Sequence, residues 1–357
     1  MTAFELLETG VKGEDVVILE AREAVSGASG RNAGHVRPDA FRGYTAYSTL
    51  HGPIQALKII ANERLVLSRV ADFVRTHNVP CDFELTSTFD VCLTPEFAAY
   101  EAQSFDTFKE AGGDVSHVRF YEGEEARQKT SVSSAVAAYE WPAGSSHPAK
   151  LAQWILNSVI ERGVRLWTHC PVTNITPAEM LEKGRWDLHT PRGVVCADTV
   201  VHCTNAYSVF LLPQLANFVT PNRAQAHSLV PSSAFSGDKA MTITMSLRYS
   251  LHHFYSLIQR RNDGTLILGV SRSNPELSAE TLAQRESFDD SGFNGEIIED
   301  AMRQWKSCMA RIFTCAPGVA KLITGRSWED TGLPECFMFN KERLVKAQHK
   351  REKGSVW

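Results

Sequence analysis

The chain reads as an α/β protein whose two domains are interleaved along the sequence, and three observations predict this. Val16-Val17-Ile18-Leu19 is a β-branched apolar run, too short for a helix and suited to a buried parallel strand. Glu20 closes the run, and Gly27, Gly30 and Gly34 follow, interleaved with Ser26, Ser29, Arg31 and Asn32. In such a turn, backbone N–H groups and short polar side chains can face a bulky anion. Further along, stretches with helical spacing alternate with stretches of two-residue alternation, so a nucleotide-binding layer and an antiparallel sheet are built in turns from one chain.

A carboxylate at the end of the second strand of a dinucleotide-binding unit is placed to hold an adenosine ribose, which makes Glu20 the first candidate contact. The competing reading is an ordinary strand with an acidic end and a glycine-rich turn. Ahead of the strand, residues 1–10 carry Ala3, Phe4, Leu6 and Leu7 at helical spacing and end in Gly10, a helix-stopping residue. A complete βαβ unit needs a strand and a G-x-G-x-x-G turn before this helix, and no G-x-G-x-x-G occurs in the sequence.

The block ILEAREAVSGASGRNAGH closely resembles the ribose-binding strand and glycine-rich helix start of the D-amino-acid oxidase family of FAD-dependent oxidoreductases, in the branch with glycine, sarcosine and glutamylputrescine oxidases. GSSHPAKLAQ and VVHCTNAYS carry the resemblance further. It implies FAD as cofactor and a chain lacking the first strand with its glycine fingerprint and the usual C-terminal closing segment. The implied fold is an FAD-binding Rossmann-like domain, incomplete at its N-terminus, with a discontinuous antiparallel-sheet substrate domain. The first takes residues 1–78, 144–221 and 314–357, the second residues 79–143 and 222–313. The resemblance also implies cofactor contacts from Glu20, Ala21, Arg22, Ser29, Arg31, Asn32 and Gly34, from the backbone of Val172, and from Thr204. It brings residues 32–35 beside the isoalloxazine ring, where Gly34 lets the backbone approach and His35 meets the flavin edge or the substrate. The alternative for His35 is a turn cap against Asp39.

The remaining elements follow in order. Residues 44–77 carry apolar side chains at mixed spacings of three and four, which predicts one or two amphipathic helices. Residues 81–93 alternate as a strand, 95–112 form a helix, and a short helix lies at 122–128. After Gly144-Ser145-Ser146, Pro148 starts a helix whose buried face is Leu151, Trp154, Ile155 and Val159. His147, just ahead of it, is read as a structural cap rather than a catalytic base. Strand ends at 164–167 and 172–175, a meander at 186–197 and a buried strand at 199–202 rebuild the nucleotide domain. The substrate sheet resumes at 221–231 and in a hairpin, 249–260 with 265–272, around Asn262-Asp263-Gly264. A helix at 296–313 follows, then the compressed SWEDTGLPE and a basic tail at 341–353, read as a solvated helix or disordered end.

The substrate-sheet strands offer Arg223, His252, His253 and Tyr255 to a pocket. Alternation puts His253 and Tyr255 on one face, and they are chosen as the catalytic pair to set beside His35. Composition adds exclusions. A net charge of −4 in 357 residues argues against general nucleic-acid binding. No apolar run approaches the roughly 20 residues that cross a bilayer. The eight cysteines include no C-x-x-C pair and are expected to be buried, reduced thiols of a cytoplasmic protein, with no metal site.

The function expected is FAD-dependent oxidation of a small amine or amino acid by hydride transfer to flavin. The alternative is a cofactor-free, inactive derivative acting as a binding or regulatory protein. The missing fingerprint disfavours a nicotinamide dehydrogenase and predicts poor flavin retention by these 357 residues. Substrate identity and oligomeric state stay open.

Overall fold

Helix α1 (Thr2–Glu8) buries Phe4 and Leu7, and strand β1 (Val17–Leu19) follows it. The structure, a computed structural model, describes residues 1–178, 185–231, 235–270, 274–288 and 294–308. A one-turn helix, α2 (Ala28–Arg31), and a two-residue strand, β2 (His35–Val36), complete the opening stretch. The predicted helical region divides into α3 (Tyr44–His51) and α4 (Pro53–Thr76). The break is local chemistry: Gly52 takes φ 80° and Pro53 restarts the helix at a position where its missing N–H costs nothing.

Strand β3 (Glu84–Cys92), helix α5 (Pro95–Glu110), strand β4 (Arg119–Glu122), helix α6 (Gly123–Thr130) and strand β5 (Ala137–Ser145) come next. Thr94 caps α5 by accepting the Phe97 N–H. Helix α7 (Pro148–Glu161) then leads to β6 (Arg165–Trp167), which pairs in parallel with β1. Phe4 and Leu7 of α1, Val159 of α7 and Val164 pack beside Val16 and Ile18 into a small core over this pair.

Strands β7 (Asn174–Pro177), β8 (Trp186–Thr190) and β9 (Gly193–Ala197) form a separate antiparallel meander. Val172 precedes β7 and is not part of it, and β7 pairs with β8 rather than with the nucleotide layer. The buried strand expected at 199–202 is absent. Those residues carry no ladder, and Val201 is 56% exposed. An apolar run becomes a strand only where a neighbour supplies hydrogen-bond partners, and among the described residues none pairs with 199–202. Cys203 is therefore exposed, as is Cys196 on β9, whereas Cys81, Cys92 and Cys170 are the buried free thiols expected.

After a short helix α8 (Ser208–Leu211), the remaining strands β10 (Ala226–Leu229), β11 (Thr244–Arg248), β12 (Phe254–Gln259) and β13 (Leu266–Val270) join β2, β3, β4 and β5. The result is an eight-stranded sheet with the order β10-β13-β12-β11-β3-β5-β2, with β4 also on β5. Sequences far apart thus share one sheet, through a parallel contact of β11 with β3. β11 was not anticipated, and the hairpin strand starts later than expected. Residues 249–253 form a turn in which the Tyr249 and Ser250 N–H groups both donate to the His253 carbonyl.

Two layers cover the sheet. On one face, Phe89, Val91, Met245, Leu247, Tyr255, Leu257, Leu266 and Leu268 pack under α6, the residues around Leu277, and helix α10 (Gly295–Cys308), which buries Ile297 and Ala301. A short helix α9 (Ala279–Gln284) lies beside them. On the other, Tyr139, Trp141 and Cys92 meet Phe41, Tyr44, Ala56, Ile60, Phe97 and Phe108 from α3, α4 and α5. The segment after Gly34 therefore leaves the nucleotide layer and becomes an edge of the large sheet, with His35 opposite Ser145 and Val36 opposite Gly144. The expected C-terminal features at 309–357 lie outside the described residues.

Candidate cofactor site

Strand β1 delivers Glu20 to a pinned position. Its N–H donates to Trp167 O at 2.9 Å, and its carbonyl accepts the Cys170 N–H at 2.9 Å. The Glu20 carboxylate accepts the Arg22 N–H at 2.9 Å, and the Arg22 carbonyl accepts the His169 N–H at 3.2 Å. Residues 20–22 are thus stapled to the turn after β6, with the Glu20 side chain half-buried and Ala21 exposed.

In the following turn, the Asn32 side chain donates to Ala28 O and Ser29 O and accepts the Gly34 N–H at 3.0 Å, so it shapes the chain that delivers His35. Ser29, Arg31 and Asn32 are exposed along this turn. Gly34 is buried at φ +93°, and a Cβ there would lie 2.0 Å from Ser146 O. Its lack of a side chain is thus needed for contact with the end of β5, whatever else approaches. Thr204, exposed in the unpaired segment, hydrogen-bonds Ser208 at 2.9 Å. The structure therefore groups Glu20, Ala21 and Arg22 at one strand end and Ser29 to His35 in the next turn. Val172 and Thr204 come from separate, non-strand segments.

Two groups in this stretch are short of partners. The Ser26 hydroxyl and both ring nitrogens of His35 are shut off from solvent and make no hydrogen bond. The alternative role for His35, capping a turn against Asp39, is not what is found. The Asp39 carboxylate instead accepts the Phe41 and Gly43 N–H groups and pairs with Arg42 at 3.6 Å. Burial first, and then the charge of Arg37, push the His35 imidazole down to about 3. The ring is thus neutral at physiological pH, and one nitrogen accepts while the other donates. Buried, unsatisfied polar atoms in this stretch fit a polar ligand such as FAD.

The same shift predicts a pH effect. The unfolded chain binds a proton at His35 below about 6.5 while the folded chain resists it until about 3. Stability from the neutral ring is therefore complete above 6.5 and is lost progressively as pH falls toward 3. Urea unfolding from pH 7.5 to 4.5 is expected to show a shallower loss for His35→Phe than for the parent. Parallel curves would mean that the ring protonates in place.

Two residues on, Arg37 enters a buried ionic cluster that sequence reasoning missed. Its guanidinium reaches Ser246 Oγ at 2.5 Å, Phe89 O at 3.3 Å and the Asp90 carboxylate, and lies 4.9 Å over the Trp141 ring. Arg42 also bonds Asp90, and Arg248 Nε bonds it at 2.7 Å. Burial alone would raise Asp90, yet the guanidinium groups of Arg248, Arg37 and Arg42 hold it well below the carboxylate range. Glu101 is driven the other way by burial and by the Asp90 charge, and it accepts the Cys92 thiol at 3.1 Å. The available signal was an aspartate within the alternating run Phe89-Asp90-Val91, a charge on a strand that is otherwise inward-facing.

His253 and Tyr255 do share one face and hydrogen-bond each other at 3.3 Å, but the structure does not bring them to His35. Four strand-to-strand steps separate β12 from β2, about 19 Å at 4.8 Å per step. Tyr255 also faces the α10 side, whereas Arg37 reaches Asp90 and Ser246, and Arg248 bonds the same Asp90, on the opposite side. There the Tyr255 hydroxyl donates to Asp300 at 2.5 Å and accepts from Asn274 at 3.2 Å. Burial and that bond to Asp300 push the phenol up, and burial pulls His253 down. His147 caps α7, its Nδ1 accepting the Lys150 N–H at 3.5 Å.

Residues 1–333 match the model of the family described as "DAO: FAD dependent oxidoreductase". The probable oxidoreductase OrdL of Haemophilus influenzae is 22% identical over 213 residues, 58% of this chain and 47% of that protein. The chain thus spans about half the length of this curated relative. Among solved structures, glycine oxidase from Bacillus cereus superimposes with a TM-score of 0.64 at 18% identity, covering 87% of this chain and 76% of that one. L-proline dehydrogenase from P. horikoshii gives 0.58 at 16% identity, covering 87% and 75%. At these identities the likeness is one of fold.

Proposed function

This chain belongs to the DAO family of FAD-dependent oxidoreductases, and from that premise we propose that it oxidises a small amine or amino acid at the carbon bearing nitrogen. The observation that carries the reading is the buried, unpartnered imidazole of His35 at the end of the Glu20–Gly34 stretch. Relatives in fold include an amino-acid oxidase and an amino-acid deaminase, by their names. FAD, when bound, supplies the acceptor for a hydride leaving the substrate carbon.

The chain's own residues divide the remaining work. Glu20 would hold the adenosine ribose with its carboxylate, which the Arg22 N–H keeps in place, with the Ala21 backbone beside it. Ser29, Arg31, Asn32 and Gly34 would line the turn against the cofactor, the Val172 backbone would meet its adenine, and Thr204 would be a further contact. His35, neutral and desolvated, offers one N–H and one lone pair to the flavin edge or to the substrate amine. The domain division of 1–78, 144–221 and 314–357 against 79–143 and 222–313 stands as part of the proposal, with residues 35–36 lending an edge strand to the substrate sheet. Among the described residues no helix is long and apolar enough to cross a membrane. The free cysteines favour a cytoplasmic setting.

Titration of the purified chain with FAD tests the reading, with binding followed by quenching of flavin fluorescence. Glu20→Ala is expected to weaken binding roughly ten- to a hundredfold, since a charge-assisted hydrogen bond contributes about 1.5 to 3 kcal/mol. Binding unchanged by that substitution would remove Glu20 from the site. Failure of the parent chain to bind FAD would favour the cofactor-free alternative.

A further inference from the structure

On the sheet face turned away from His35, the guanidinium group of Arg285 is buried without a partner. Arg285 ends helix α9, is 3% exposed, and has no hydrogen bond to Nε, Nη1 or Nη2. Its backbone is fixed, because its carbonyl accepts the Arg223 N–H at 2.7 Å on the segment leading into β10. Two residues further, Gln225 exchanges hydrogen bonds with Asn294, at 2.9 and 3.3 Å, which ties this segment to the start of α10.

The obvious counter-charge is already engaged. Asp300 accepts the Tyr255 hydroxyl at 2.5 Å and pairs with Arg303 at 3.3 Å, and neither oxygen bonds Arg285. Tyr255 and Asp300 are near enough to bias Arg285 electrostatically, but burial outweighs them. Glu276, the next carboxylate in the neighbourhood, is exposed. A second orphan lies on the same face. His227 stands opposite Leu268, which belongs to the α10-side core, and its Nε2 is buried without a partner.

A desolvated guanidinium is tolerated when a negative group satisfies its fork of N–H donors, and a planar or tetrahedral oxyanion matches that fork with two parallel bonds. We propose that Arg285 anchors a second ligand site that takes a small oxyanion, a carboxylate or a phosphate, on the opposite face of the sheet from the cofactor stretch. The site is independent of the cofactor reading, since no atom of the Glu20–His35 stretch contributes to it.

Thermal unfolding of the full chain is compared in inorganic phosphate, sodium acetate and sodium chloride at matched ionic strength and pH 7.5. A saturable rise in Tm with phosphate or acetate, absent in chloride and lost in Arg285→Gln, supports the site. The anion that saturates at lower concentration identifies the ligand class. An equal rise in chloride, no rise at all, or an undiminished rise in Arg285→Gln overturns it. If Arg285→Gln does not fold, Arg285→Lys, which keeps the charge but loses the fork, decides instead. A half-saturation at least tenfold higher than the parent's supports the site, and an unchanged one overturns it.

Discussion

Asp90→Asn is expected to cost the chain a large share of its stability at neutral pH. Asp90 is fully buried and is bonded by Arg37, Arg42 and Arg248 together. Removing its charge leaves three guanidinium groups facing one another, with Asp39 beside Arg42 as the nearest remaining carboxylate partner. Breaking one partner out of a buried ion pair costs about 3 to 5 kcal/mol, against a total of roughly 5 to 15 for a folded domain. Urea unfolding should therefore show a midpoint far below that of the parent, or no folded baseline. Glu101→Gln is the internal control. Burial and the Asp90 charge keep Glu101 protonated, so the amide replaces a group that is already neutral and should cost about 1 kcal/mol or less. Equal losses for the two substitutions would contradict this division of charge.

Gly34→Ala ranks second, for a reason of geometry. The alanine would hold φ near +93° and place its Cβ 2.0 Å from Ser146 O and 3.1 Å from Ser146 C. The left-handed backbone costs roughly 1 to 2 kcal/mol, and forcing β2 off β5 adds about 1 to 3. Because Gly34 accepts the Ser146 N–H and His35 pairs with Ser145, the substitution should also loosen the position of His35. Gly10→Ala separates strain from overlap. Gly10 has φ +96° with nothing within 4 Å of the added carbon, so only the first cost applies. A thermal midpoint for Gly34→Ala no lower than for Gly10→Ala would show that the β5 end gives way freely.

Much of this architecture was legible in the sequence, and what was not has physical reasons. Helices with strong periodicity and punctuation were read closely, as Pro95–Glu110 and Pro148–Glu161 show, because proline and a capping residue fix their starts locally. The hairpin at 254–270 was found from its turn, where Gly264 supplies the positive φ. Strand β11 was missed although Thr244-Met245-Ser246-Leu247-Arg248 alternates at period two. Its polar positions look outward in a sequence but are buried here, with Thr244 bonded to Thr88 and Arg248 to Asp90. The reverse error occurred at 199–202, an apolar run with no partner strand among the described residues. At the candidate site, Glu20 and His35 were visible from their neighbours in sequence. The distance of His253 and Tyr255 from His35 was not, since strand order across a sheet depends on pairings that no local window contains.

The parallel seam between β3 and β11 also sets how the chain can acquire its structure in time. Thr88 meets Thr244 across 156 positions, and Asp90 meets Arg248 across 158. Most other contacts of β3 are with β5, which α5, β4 and α6 separate from it in sequence but which lies in the same half of the chain. The sheet is therefore built as two ribbons, each paired within its own part of the chain, that are zipped together by their least local pairing, the kind whose loop-closure cost slows folding. During synthesis, the half ending near β5 exists with Asp90 lacking Arg248 and with one edge of β3 open. That edge is a site for mispairing until β11 arrives. The three-arginine cluster then acts as a latch that closes only when both ribbons are in register.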